Sequence, residues 1–560
     1  MANIEQMELD SETQDEEEHQ SIETDELDES LEDDEFEYVI VEKSQLLQLL
    51  QRCHLCGKYP REKSVKKATT SRRSDPPMRH IKWAKRGVNV TAAYYCACRG
   101  KKQIRWSSQP VLEGTQTRKG NIDIVAAAIA APISFTDLDA FCRALKLPII
   151  SKRRFNVHMS SYVKPCISDM YHMQKSDIIQ NDIELPLKLA IDGQFDSPGF
   201  SAEFCNVSAL DIETKKVVTF QQVHKSETDG VSSRMELLGV QKIFDELGID
   251  QIEKVCIDKH TQVIAWLKRN NVDYSFDLWH NCRNINKRLR AELKKLDGIE
   301  KSHLKQLGRR FISHIYRAIE NAAGNSDLAV QHVYSFFLHV LNIHEWNVAK
   351  LIDLIDVEGI QKRGKEFNSI TFSTVNSCLH NNVDETFTEP LQPDSTAFKV
   401  ILQMASSTNF VNDVRRLKEG NVTSFVESYN SVRIHYAPKR KFFKGSGLEM
   451  RTMLSIIAWN SIQDAELQGR RKELTRYQYF SKAKGDVREK NKKTGGAEFD
   501  GWKRELIMRV RAKKIEYGPG DPPVHALDEF EDDDETDQLA HIFDEIVNFD
   551  DFYEDNVDDE

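Results

Sequence analysis

The sequence predicts an α/β fold in which a mixed sheet, interrupted by a long helical insertion, follows a cysteine-rich module and a run of short helices. Three observations predict it. Apolar runs at Leu187–Ile191 and Ile252–Ile257 each end on an aspartate, as buried strands opening into loops do. Helical periodicity lies between and after them, and alternating strand and helix demands a mixed sheet. Between His280 and Asn421 the pattern is again helical, with segments at 283–296, 304–321, 329–341 and 348–355.

A chain of 560 residues can hold several domains, and 40% hydrophobic content suffices for a sizeable core. Its most apolar run, Ile124–Ala131, stops at Pro132, too short to span a membrane. The acidic N-terminus argues against a signal or transit peptide. Ten cysteines without a dense framework suit a reducing compartment and favour metal ligation over disulfides. The net charge of −12 hides a strong asymmetry, because residues 1–40 and 521–560 each carry 18 Asp or Glu and no Lys or Arg. Without those tails, residues 41–520 stand at +24, a polyanion-binding body. The tails, 1–43 and 516–560, read as solvated disordered segments; a sharper reading makes them nucleic-acid mimics competing for the basic surface.

Residues 44–108 form a basic, zinc-ribbon-like module. Cys53-His-Leu-Cys56-Gly57 has a knuckle spacing that exposes backbone amides to two thiolates, and Cys96-Ala-Cys98 supplies its mate, with His54 or His80 as alternative ligands. Between the pairs, Lys63, Lys66, Lys67, Arg72, Arg73, Arg79, Lys82, Lys85 and Arg86 suit phosphate contact. Residues 119–165 then hold three short helices, at 120–131, 134–145 and 151–163. Lys152, Arg153 and Arg154 open the third, as in a helix-turn-helix that places its last helix in the major groove, a plain helical linker being the alternative.

From Leu187 the order is three antiparallel strands (187–192, 204–210 and 217–221), a helix at 232–247, a strand at 252–258, a helix through Trp266 and a strand at 274–279. That is the order of the ribonuclease-H-like fold, here spanning 180–460 with its insertion at about 284–420. Asp192 and Asp258 then sit side by side at one rim, where adjacent carboxylates call for a hard cation. A third acid fits on the helix after Asn421. Val422, Phe425, Val426, Tyr429 and Val432 form its apolar stripe, while Glu427 and Asn430 share a neighbouring face, the asparagine placed to orient a water or a carboxylate.

The strings Ile-Asp192-Gly-Gln-Phe-Asp196-Ser-Pro-Gly199, Val-Cys-Ile-Asp258-Lys-His260, Phe-Asp277-Leu-Trp279-His280 and Val-Glu427-Ser-Tyr-Asn430, with Pro438-Lys-Arg-Lys beyond, resemble the DDE transposases of the Kolobok type and their domesticated relatives. Trp106-Ser-Ser-Gln-Pro110, Gly120-Asn121 and Arg154-Phe155 resemble that group's lead-in, so the similarity runs from about Cys53 to Asn460. It departs from the group in lacking a THAP-type zinc module and in carrying Lys259 beside Asp258. The resemblance implies Asp192, Asp258 and Glu427 as a triad binding two Mg²⁺ or Mn²⁺ ions, with Asp196 a rival for the first place. It also implies Asp277 and His280 as an Asp-x-x-His element bracing the triad. Lys439, Arg440 and Lys441 join Lys152, Arg153 and Arg154 as candidate DNA contacts.

His332, His339 and His344 with Trp346 could suggest a metal, but their irregular spacing favours ordinary packing. The basic segment 461–515, with Tyr477, Tyr479, Phe480, Phe499 and Trp502 interleaved, suits DNA ends or single strands. The expected protein is a nuclear, zinc-containing, homo-oligomeric transposase acting on double-stranded transposon ends, with no membrane or small-molecule partner. A domesticated DNA-binding regulator that no longer cuts is the alternative.

Overall fold

A computed structural model describes residues 37–59, 79–197, 202–355, 363–378, 392–417, 424–439, 441–481, 486–493 and 499–522. The readings of the acidic tails (save residues 37–43 and 516–522), of Lys63 to Arg73 and of Arg440 fall outside them. The described chain divides into two units, 37–84 with 91–106, and 85–90 with 107–522.

In the first unit, α1 (Lys43–Gln51) leads into the Cys53–Cys56 turn, and a three-stranded sheet of order β1-β2-β3 follows. Its strands are β1 (Lys82–Arg86), β2 (Asn89–Tyr95) and β3 (Gln103–Ser107), all three running across the division. Arg79 is no phosphate contact. It is buried, its guanidinium donating to the Gln51, Tyr95 and Lys58 carbonyls and lying over the Tyr94 ring.

The second unit begins with α2 (Lys119–Ala130) and α3 (Phe135–Ala144). The third predicted helix does not end at Val163: α4 (Lys152–His158) passes through a π turn at Met159–Val163 into α5 (Lys164–Asp177). Pro165 lies in the first turn after that π turn, whose altered hydrogen bonding accommodates the missing amide.

Five strands make the main sheet, in the order β6-β5-β4-β7-β8: β4 (Leu187–Phe195), β5 (Phe204–Asp211), β6 (Val217–His224), β7 (Ile252–Ile257) and β8 (Asp273–Phe276). The first three form an antiparallel meander, while β7 pairs parallel with β4 and β8 parallel with β7. The mixed α/β architecture is therefore present, with α6 (Met235–Leu247) and α7 (Thr261–Arg269) in the crossovers. The last strand stops at Phe276, three residues early. Asp277 ends it by capping α8 (Leu278–Leu293), accepting the His280 amide at 2.5 Å.

Each face of the sheet carries its own core, because alternate strand residues point opposite ways. Leu187, Leu189, Ile191, Val207, Val255 and Ile257 pack with α6 and with the insertion. That insertion comprises α8, α9 (Gly298–Ala322), α10 (Ser326–Val340), the single turns α11 (Leu351–Leu354) and α12 (Lys365–Asn368), α13 (Thr396–Ala405) and α14 (Thr408–Arg416). The helix expected at 348–355 shrinks to α11, since β9 (Ala349–Lys350) pairs with β10 (Thr371–Phe372).

On the other face, Ala190, Leu210, Phe220 and Cys256 pack with α2, α5, α15 (Ser424–Tyr436), α16 (Gly445–Leu467) and α17 (Gly501–Tyr517). The edge strand β6 is closed off by buried Asn460, which accepts the Val217 amide at 2.8 Å and donates to the Val217 carbonyl at 3.1 Å.

The basic C-terminal segment is partly structural. A hairpin of β11 (Glu473–Ser481) and β12 (Asp486–Lys493) precedes α17, and the side chains of Tyr477, Tyr479 and Phe480 lie outside the described residues. Trp502 is 7% exposed and belongs to the core, so it is no stacking platform. Buried Arg511 donates to both Asp123 oxygens, at 2.7 and 2.6 Å, pinning α17 to α2. Removing one partner strands a buried charge, so Asp123→Ala is expected to lower stability by about 3–5 kcal/mol in urea titrations. Asp123→Leu combined with Arg511→Met should recover most of that loss.

Candidate functional site

In the cysteine module, Cys53 Sγ lies 3.7 Å from Cys98 Sγ and Cys56 Sγ 3.8 Å from Cys96 Sγ, and all four sulfurs fall within 4.8 Å of one another. A tetrahedral zinc with bonds of about 2.3 Å to sulfur separates its ligands by about 3.8 Å, so the four thiols fit zinc without another donor. Gly57, at φ 68°, turns the knuckle so that its amide reaches the Cys53 carbonyl at 2.7 Å. Burial pushes the Cys53 thiol up, but the Leu55 and Cys56 amides and the neighbouring thiols outweigh it and bring it down to about 6. Neither alternative ligand is needed: His54 Nδ1 is held by the Tyr94 hydroxyl at 2.6 Å, and His80 is exposed and lies outside the cluster. Cys56→Ser should release one zinc per chain and open the first unit to proteolysis while the second unit stays protected, as metal analysis and limited digestion would read.

The acids assemble where the β4–β7 pairing ends, Asp192 inside β4, which runs past the predicted strand end at 192 to Phe195, and Asp258 just beyond β7. Register places Ile191 opposite Ile257, so Asp192 and Asp258 follow on adjacent parallel strands. Like Ala190 and Cys256, they occupy the even positions, on the side facing α15. That helix presents Glu427, Asn430 and Arg433 at threefold spacing along β4. Asn430 Nδ2 donates to Asp192 Oδ2 at 2.6 Å, and buried Arg433 donates to Gln194 Oε1. His280 joins the remaining acids. Its Nδ1 lies 3.0 Å from Asp258 Oδ1 and 3.4 Å from Asp277 Oδ1, and its Nε2 lies 3.4 Å from Glu427 Oε1. Its Nδ1 contacts are ion pairs without hydrogen-bond alignment.

Electrostatics follow from this crowding. Asp258 and then Asp277 hold the His280 imidazole cationic, pushing it up to about 10 against the cost of burial. Burial, then the Asp258 charge, pushes Asp192 up to about 6, while the Asn430 amide and His280 pull the other way. Lys259 lines the same cavity as Asp258, with its ammonium held at 2.6 Å by Asp413 on α14. Asp196 is turned elsewhere: Oδ1 accepts the Glu203 amide at 3.2 Å beyond the β4–β7 pairing, and burial raises it.

Sequence reasoning missed Glu236. It stands in the first turn of α6 and, with Asp192, Asp258, Asp277 and His280, lines a cavity of about 330 Å³. Gly193 lets it in, since a Cβ there would come within 2.9 Å of Glu236 Cγ. Burial first, then Asp192 and Asp258, push Glu236 up to about 8, so its carboxyl keeps a proton at neutral pH. A glycine directly after the first aspartate, with an acid opening the next helix, is the signal that could have found it.

No family model, curated protein or solved structure matches this chain. What the rim can do therefore rests on its own chemistry. Asp192 and Asp258 line the cavity, and His280 links Asp258 to Glu427, which is not among the lining residues; the two aspartate carboxylates are hard oxygen donors of the kind a divalent cation takes.

The candidate DNA contacts fare unevenly. Arg153 and Lys439 are exposed, and the Asp192 and Asp196 charges act on Lys439. Lys152 is half-buried. Arg154 pairs with Asp521, and Lys441 is drawn to Asp137 at 3.0 Å on the first turn of α3.

Proposed function

We propose that this chain is a DNA-processing phosphoryl transferase of the DDE transposase type, built on a ribonuclease-H-like core and akin to the Kolobok group. The observation that carries the reading is the meeting of Asp192 and Asp258, on adjacent parallel strands, with Glu427 through His280. A meander β6-β5-β4 extended by parallel β7 and β8 supports the ribonuclease-H-like assignment. The positive body, standing at +24 without its acidic tails, supports double-stranded DNA as the substrate, and pairing two DNA ends calls for a homo-oligomer in the nucleus.

Asp192, Asp258 and Glu427 would hold magnesium or manganese, which when bound activates a water or 3′-hydroxyl and stabilises the leaving oxygen. Asn430 fixes the Asp192 carboxylate by its 2.6 Å hydrogen bond. His280 braces Asp258 and Glu427 together, and Asp277 seats the imidazole by capping its helix. Protonated Glu236 closes the cavity from the opposite side of β4 without adding charge.

The test is incubation of the full chain with DNA from the flanks of its gene and Mg²⁺ or Mn²⁺. Strand cleavage and joining are expected. Asp192→Ala and Asp258→Asn should abolish both while DNA binding persists, and Asn430→Ala should reduce them about 10–100-fold. Binding without cleavage, unchanged by Asp192→Ala, would contradict the enzyme and leave a DNA-binding regulator.

A further inference from the structure

Outside both sites, two imidazoles and a thiol converge in the helical insertion. His339 stands in the last turn of α10, and the chain reverses at Leu341–Asn342, where Asn342 takes φ 64°. This reversal brings His344 back beside His339, their rings 5.2 Å apart. Cys378 arrives from 34 residues further on, with Sγ 3.6 Å from His339 Nδ1 and 3.5 Å from His344 Nδ1. The three ligand atoms lie within 4.8 Å of one another, and all three residues are half-buried.

The surrounding structure holds the thiol in place. Gln331 Oε1 accepts the amides of Ser373, Thr374 and Val375 at 3.0, 3.0 and 3.1 Å, tying the incoming segment to α10. Trp346 donates its indole to the Val375 carbonyl at 2.8 Å, and the Cys378 amide reaches the His344 carbonyl at 3.0 Å. His344 Nε2 lies 3.0 Å from Asn342 Oδ1. An amide oxygen only accepts, so Nε2 carries the proton and Nδ1 turns its lone pair to the thiol. Metal-bound histidines have their tautomer set by such a partner.

We propose that His339, His344 and Cys378 bind a zinc ion that clips the end of α10 to residues 373–378. Bonds of about 2.3 Å to sulfur and 2.0–2.1 Å to nitrogen put sulfur and nitrogen ligands about 3.6 Å apart in a tetrahedron, the spacing found here. One thiolate and two imidazoles select a borderline ion such as zinc over magnesium or calcium. The thiol gives up its proton to solvent as the metal–sulfur bond forms. His339 and Cys378 also line a cavity of about 360 Å³, from which water fills the fourth position.

Metal analysis of the full chain after dialysis tests this, counting zinc per chain in the native protein, Cys378→Ala, His344→Ala and Cys56→Ser. Cys378→Ala and His344→Ala should each lose one equivalent that Cys56→Ser retains, and native-like resistance of their second unit to limited digestion reports that they remain folded. In a chain with Cys53, Cys56, Cys96 and Cys98 all changed to serine and loaded with Co²⁺, a single-thiolate charge-transfer band is expected, absent once Cys378→Ala is added. Native zinc content accounted for by Cys56→Ser alone, or a cobalt band unchanged by Cys378→Ala, would overturn the proposal.

Discussion

Two aspartates on neighbouring parallel strands set the terms for the rest of the fold. With Ile191 opposite Ile257, Asp192 and Asp258 open onto one rim about a strand spacing apart. At roughly 4.8 Å and an effective dielectric constant of about 20, two such charges repel by about 3 kcal/mol. The compensation is distributed. Asn430 donates to one carboxylate, the His280 imidazolium lies against the other, and Glu236 keeps its proton. These groups come from α15, α8 and α6, so the rim needs the sheet and the helices on both of its faces.

The insertion serves this arrangement. It begins with α8, whose cap is Asp277 and whose first turn carries His280, and its core is continuous with one face of the sheet. It ends near β8, where Arg416 donates to Asp273 at 3.2 Å and lies over the Tyr274 ring. The chain then reaches α15 on the other face, bringing Glu427 to the acids from which more than a hundred residues separate it. The Asp413 carboxylate that takes Lys259 belongs to the same insertion.

Much of this was legible in the residues. Central strands buried on both faces read as apolar runs ending in acids, which located β4 and β7 and hence Asp192 and Asp258. Helical spacing placed Asn430 beside Glu427, and Cys spacing located the four-sulfur cluster. What escaped depends on tertiary partners. Glu236 becomes part of the rim only because Gly193 lacks a side chain, and Cys378 meets His339 and His344 only because Gln331 pins its segment. Charge density also misled: Arg79 looked like a phosphate ligand, yet a cage of carbonyls engages its buried guanidinium. A cation counted along the sequence carries no record of its partner.

Mn²⁺ binding to the full chain, followed by electron paramagnetic resonance, tests the rim most directly because it needs no knowledge of the DNA. The account predicts tight Mn²⁺ binding, competed by Mg²⁺, that Asp258→Asn weakens severely while Lys259→Ala leaves it largely intact. Mn²⁺ binding of equal strength in the native chain and in Asp258→Asn would contradict it.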